Sequence, residues 1–162
     1  MELSSHHRDL MIMTDREQLQ QDSFVGFLSI GELKNHSLNQ IPNEPGVYVI
    51  FRESDQEVEF LKRSTGGHFK GKDPTVSVSD LRNAWVNDTS ILYIGKAGCS
   101  EGSATLRSRL KQYFLFGSGS AVGHWGGRYI WQLADADELV VCWRTTSADE
   151  ARMAERHVQD FI

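Results

Sequence analysis

Three apolar runs of strand length constrain this chain more than anything else in it: GVYVIF at 46–51, ILYIG at 91–95 and LVVCW at 139–143. Runs so short and so few make a small sheet. Pro42, Pro45 and Gly46 punctuate a turn before the first run, and Ser90 and Gly95 bound the second. The connection between them, residues 52–90, is long. It holds the polar stretch KRSTGGHFKGKDP and then VSVSDLRNAWV, which reads as a short strand or helix ending near Trp85. A connection of this length inside a compact domain is functional or carries structure of its own. Its glycines and lysines cannot build a core, so the segment is expected to protrude from the sheet edge.

Helices are legible around these runs. In ATLRSRLKQYFLF, Leu106, Leu110 and Phe114 recur every four residues and predict a buried stripe. Arg109 and Tyr113, also four apart, share a neighbouring face. Gly117 and Gly119 are expected to end that helix. Residues 24–41 read as an apolar lead followed by a short helix, and residues 1–23 as a polar lead-in, helical or disordered. The stretch GHWGGRYIWQL is rich in glycine and aromatic residues. Ser147 and Glu150 form a capping-box pattern ahead of a last helix at 148–161. The pattern predicts an α+β domain over residues 24–162, with a small central, mostly antiparallel three-stranded sheet flanked by helices.

Composition narrows the function classes less sharply. With 162 residues, 40% of them hydrophobic, the chain can bury one core. No apolar run approaches the roughly 20 residues of a membrane span, and no signal-peptide core opens the sequence, so a cytoplasmic protein is expected. Cys99 and Cys142 suggest neither a metal pair nor a disulfide framework. Cys142, within LVVCW, is expected to be a small buried hydrophobe. A net charge of −5 argues weakly against nucleic acid, whose phosphates need clustered cations. Yet residues 93–131 hold Lys96, Arg107, Arg109, Lys111 and Arg128 against Glu101 alone, leaving +4 on that stretch.

Single residues carry little weight. Glu155 falls on the apolar arc of the last helix with Ala151, Ala154 and Val158, where a carboxylate must be paired, metal-bound or lifted to the rim. Strand tyrosines such as Tyr48 and Tyr93 usually pack half-buried. A helical Arg109 is usually a solvated charge, and Lys96 at a strand end is unremarkable.

Their order is more telling. The chain reads Gly46-Val47-Tyr48, then Tyr93-Ile94-Gly95-Lys96, then Arg107-Ser108-Arg109-Leu110-Lys111-Gln112-Tyr113, then Glu155. This resembles the GIY-YIG nuclease family, over residues 45–160. Two spacings depart from the usual pattern. Tyr48 and Tyr93 stand 45 positions apart, so 52–90 is expected to hold an insertion, and GCSEGSAT adds a loop after Lys96. Many members carry an asparagine beyond the glutamate. The sequence given stops at Ile162, so either it is part of a longer chain or another group fills that role.

The resemblance implies a metal-dependent endonuclease acting on nucleic acid, DNA before RNA, with Mg²⁺ or Mn²⁺ held by Glu155. A hard, hydrated ion suits so sparse a ligand set. Arg109 would grip non-bridging phosphate oxygens, and Tyr93 would position or deprotonate the attacking water. Lys96 would lower the Tyr93 pKa, and Tyr48 and Tyr113 would hold water and phosphate. His124 is a candidate leaving-group acid or second base, the alternative being a loop histidine bonded to backbone. Arg107, Lys111 and Arg128 are candidate backbone contacts. Lys62, Arg63, Lys70 and Lys72 form a second candidate phosphate patch, against the alternative of a solvated loop. Two other readings stay open: a nucleic-acid-binding module that does not cut, and a protein-interaction domain.

Overall fold

A computed structural model describes residues 13–36, 38–98 and 104–146. The chain opens with α1 (Asp15–Gln21), whose first turn is closed by a capping box between Thr14 and Glu17. Strand β1 (Val25–Ser29) runs directly into α2 (Ile30–Asn35), because Ser29 both ends the strand and caps the helix with Glu32. A 3₁₀ turn at Leu38–Gln40 leads to β2 (Gly46–Phe51). Helix α3 (Val78–Ala84) and strand β3 (Ile91–Ala97) follow. Helix α4 (Leu106–Gly117), the 3₁₀ turns Trp125–Gln132 and Ala136–Glu138, and β4 (Val140–Thr145) complete the described residues.

The architecture is α+β: one antiparallel sheet in the order β1-β4-β2-β3, flanked by helices. All six residues of β2 are buried, so this central strand reads as an unbroken apolar run because both its faces are covered. Tyr48 and Ile50 belong to one apolar cluster, with Val141, Trp143 and the stripe of α4. Val47, Val49 and Phe51 belong to a second cluster on the other face, with Leu19, Phe24, Val140 and Cys142. Cys142 is buried, and burial pushes its thiol up to about 12; Cys99 lies outside the described residues.

One expectation is corrected. The sheet has four strands, where three were expected. The fourth, β1, escapes a period-of-two reading because its register shifts between Gly26 and Leu28. Gly26 and Phe27 both take positive φ there (99° and 54°), a bulge that breaks the alternation. A side chain at Gly26 would strike the Trp143 ring, 2.6 Å from the Cβ position.

Residues 52–90, expected as an ordered or partly ordered excursion from the sheet edge, hold α3 and are laid in part against the core. Ala134 N–H donates to Glu59 O and Leu61 N–H to Gln132 O, at 2.9 and 2.7 Å. Phe60 meets Trp85 edge-on at 5.9 Å, and α3 buries Leu81. The buried Gln132 amide accepts from Val76 N–H at 2.8 Å and donates to Leu61 O and Val76 O at 3.0 and 2.7 Å. The last helix expected at 148–161 and its cap fall outside the described residues. Among the described residues no helix is long and apolar enough to cross a membrane.

Candidate active site

The β2–β3 register builds the site. Tyr48 stands opposite Gly95, and Ile50 opposite Tyr93, so both tyrosines project from one face of the sheet. Gly95 is required at its position. A Cβ there would lie 2.1 Å from the Tyr48 ring, which crosses the neighbouring strand in the space a side chain would fill. Helix α4 brings Tyr113 onto this face, stacked on Tyr93 with ring centroids 5.5 Å apart. His124, just before the 3₁₀ turn Trp125–Gln132, closes the group. Its ring lies 4.3 Å from that of Tyr113, and its Nε2 shares a 3.3 Å hydrogen bond with the Tyr48 hydroxyl.

The hydroxyls do not open together into a cleft as the tyrosine spacing suggests. Tyr48 and Tyr113 are 0% exposed and His124 4%, while Tyr93 and Arg109 are only partly buried. The reason is the Gly-rich turn after His124, which lets backbone press onto the rings. Tyr113 donates its hydroxyl hydrogen to Gly127 O at 2.8 Å, and a Cβ at Gly127 would sit 2.4 Å from the Tyr113 ring. Burial, with Tyr48 and Tyr93 alongside, holds the Tyr113 pKa well above the ordinary tyrosine value. Burial and then the charge of Arg109 push His124 down to about 4. At neutral pH this imidazole is therefore uncharged, a hydrogen-bonding group beside a cation.

The remaining candidates divide. Lys96 pairs with Val47 in the register, on the face of the second cluster, so alternation turns it away from Tyr93. Spacing suggested a Tyr93–Lys96 pair, and three positions along a strand reverse the side-chain direction. Arg107 fastens α4 to the preceding turn by donating to Ile41 O at 2.8 Å and Asn39 O at 3.3 Å. Lys111 is exposed beside Leu38 and Phe114 on the α2 side of α4, away from Tyr113. Arg128 lies between the Trp125 and Tyr129 rings, 4.9 Å from each centroid. This stack was not singled out from the sequence, although the aromatic density of GHWGGRYIWQL was its signal. Lys62, Arg63, Lys70 and Lys72 are exposed. Glu155 lies outside the described residues.

The donor set suits an anion. Among the described residues no three of His, Cys, Asp and Glu gather as a metal site, and the cluster itself supplies no carboxylate, which Mg²⁺ favours. Arg109, whose charge acts on His124 and whose guanidinium lies 3.5 Å from Gln112 Oε1, adds a cation to the hydrogen-bonding groups of Tyr93 and neutral His124, the kind of set that meets a phosphoryl oxygen. A separate cleft of about 640 Å³, lined by Arg52, Asp55, Arg82, Trp85, Asp88 and neighbours, shares no residue with this cluster. In comparisons with protein-family models, curated proteins and solved structures, nothing matches this chain.

Proposed function

We propose that the chain is a GIY-YIG-type nuclease that hydrolyses phosphodiester bonds in nucleic acid, DNA before RNA. The observation that carries the reading is the convergence of Tyr48, Tyr93, Tyr113 and His124 from two strands, a helix and a turn, under the charge of Arg109. Arg109 grips the non-bridging oxygens with its planar fork as their charge grows in the transition state. Tyr93, partly exposed, orients the attacking water. Tyr48 and Tyr113 act as positioning residues: one is tied to His124 and the other to Gly127 O, and their rings hold that of Tyr93. His124, being neutral, orients a hydrogen bond without competing with Arg109 for the phosphate. A Mg²⁺ or Mn²⁺ ion held by Glu155 would supply the positive charge that the leaving oxygen needs.

The test is cleavage of labelled plasmid, duplex and branched DNA with Mg²⁺, Mn²⁺ or EDTA. Arg109→Ala and Glu155→Gln should fold and bind DNA yet cut about a hundredfold more slowly or worse, the scale of one deleted transition-state contact. Excess Mn²⁺ should partly rescue Glu155→Gln, whose amide oxygen remains a weak ligand, and leave Arg109→Ala unrescued. Near-normal cutting by either variant sinks the reading. The complete burial of Tyr48 and Tyr113 favours one second reading, a module that binds nucleic acid without cutting; it predicts metal-independent binding and intact plasmid.

A further inference from the structure

The loop at residues 62–72 has no part in that chemistry. It carries Lys62, Arg63, Lys70 and Lys72 in a chain of net charge −5, with one carboxylate at its edge, Asp73, which lies 3.8 Å from His68 and feels the charge of Arg63. All four cations are exposed. Its tip is a tight hairpin: Phe69 and Lys72 exchange backbone hydrogen bonds of 3.1 and 3.0 Å. Lys70 and Gly71 between them both take positive φ, 51° and 75°, as a two-residue hairpin turn requires.

The loop is anchored. Ser64 N–H donates to Thr75 Oγ1 at 3.1 Å, Thr65 N–H to Trp131 O at 3.0 Å and Gly67 N–H to Phe116 O at 2.9 Å. Gly67 passes so close to the next segment that a Cβ would lie 2.1 Å from Ser120 O. The Phe69 ring rests on Gly123, 3.4 Å from the Cβ position there, and Gly123 adjoins His124. The hairpin therefore packs against the segment that delivers His124 to the tyrosines. Its backbone donors at Thr65 and Gly67 are used internally, so it binds an anion through its side chains and not as a backbone nest. Phe69 is partly buried and no large apolar side chain of the hairpin is exposed, which leaves a membrane nothing to take up. Four exposed cations on an anchored backbone, beside a phosphate-suited cluster, match a polyanion that runs past both.

We propose that the 62–72 hairpin is a phosphate clamp, gripping nucleic-acid backbone that flanks the reacting bond, on a track from Arg109 past His124 to Lys70 and Lys72. The choice of nucleic acid rests on the proposed nuclease function; the clamp itself does not require cleavage. Such contacts place the strand without reading its sequence.

The test measures binding of the full chain to a fluorescein-labelled DNA duplex in EDTA across a salt titration. Replacing Lys62, Arg63, Lys70 and Lys72 together with Gln should make the slope of log Kd against log salt shallower by about 0.9 for each phosphate left without its cation. A charge-matched comparison sets Lys70→Gln/Lys72→Gln against Lys34→Gln/Arg144→Gln, which removes two cations elsewhere. Only the hairpin pair should flatten the slope. An unchanged slope, an equal effect of the two pairs, or no duplex binding by the parent chain overturns the clamp. So does hairpin-dependent binding to phosphatidylserine vesicles without binding to DNA. Hairpin-dependent DNA binding with no cutting in Mg²⁺ or Mn²⁺ keeps the clamp and removes the nuclease. Cutting with an unchanged slope does the reverse.

Discussion

At the scale of the residue, the site depends on what is missing at Gly95. The Tyr48 ring occupies the space of its side chain, so the glycine of YIG and the tyrosine of GVY form one contact across two strands. Gly95→Ala must displace either the ring, which would break its bond to His124, or the strand. The expected cost is on the order of 2 kcal/mol, typical of overpacking a rigid core. In the double variant Tyr48→Ala/Gly95→Ala the added methyl enters vacated space, so the total loss should fall clearly below the sum of the single losses. Urea unfolding of the four proteins measures this. Strict additivity would show that the two residues do not meet. Gly127 under Tyr113 and Gly117 under Trp131, each with 2.3–2.4 Å between a Cβ and the ring, follow the same logic.

At the scale of the element, α4 is the part most nearly dictated by local pattern. Leu106, Leu110 and Phe114 are buried where the four-residue stripe puts them, and Thr105 caps the first turn through Ser108. The 52–90 segment is the opposite case. It owes its place to Gln132, a residue from a distant 3₁₀ turn whose side chain meets both Leu61 and Val76. Gln132→Leu keeps the bulk and leaves a backbone N–H and two carbonyls without these partners. The cost should be roughly 3 kcal/mol, since buried polar groups lose their solvation without compensation. Hydrogen exchange at the Val76 amide should quicken, and protease nicking should appear within 52–90. A Val76 amide as protected as before would mean that other contacts hold the segment.

For the molecule as a whole, one buried histidine gives stability a signature in pH. His124 titrates at about 4 in the fold against an ordinary value near 6.5. Above pH 6.5 both folded and unfolded chains carry it neutral, and it contributes no slope. As pH falls, the unfolded chain takes the proton first, so stability drops by up to about 1.4 kcal/mol per pH unit. The drop from this group ends near pH 4, where the folded imidazole charges too. Denaturant midpoints for the parent chain and His124→Gln should therefore converge as pH falls from 6.5 toward 4 if the variant begins less stable, and move further apart if it does not. Parallel curves would mean that the imidazole is not desolvated. Carboxylates such as Glu53, held low by Arg16, act on both proteins alike and cancel in the comparison.

The strands at GVYVIF, ILYIG and LVVCW and the helix at 106–117 were legible in the sequence, because an apolar run and a four-residue stripe show in local pattern. The segment ending near Trp85 reads equally as strand or helix, and packing makes it α3. The grouping of Tyr48, Tyr93 and Arg109 came from the order of motifs that resembles the GIY-YIG family, and the packing of the Tyr48 and Tyr93 rings 6.1 Å apart came from the strand register. Strand β1 was not legible, since a bulge at Gly26–Phe27 erases the alternation by which strands are recognised. Nor was the direction of Lys96, which depends on counting from a register that only pairing with β2 sets. The burial of Tyr48 and Tyr113 was hidden for the same reason. It comes from a turn at 124–127 folding over strands far away in sequence, and glycine there admits backbone where a side chain would have kept it out. Local periodicity determines which residues can form an element; contacts between elements, decided by tertiary packing alone, determine which side chains reach water and which are sealed beneath it.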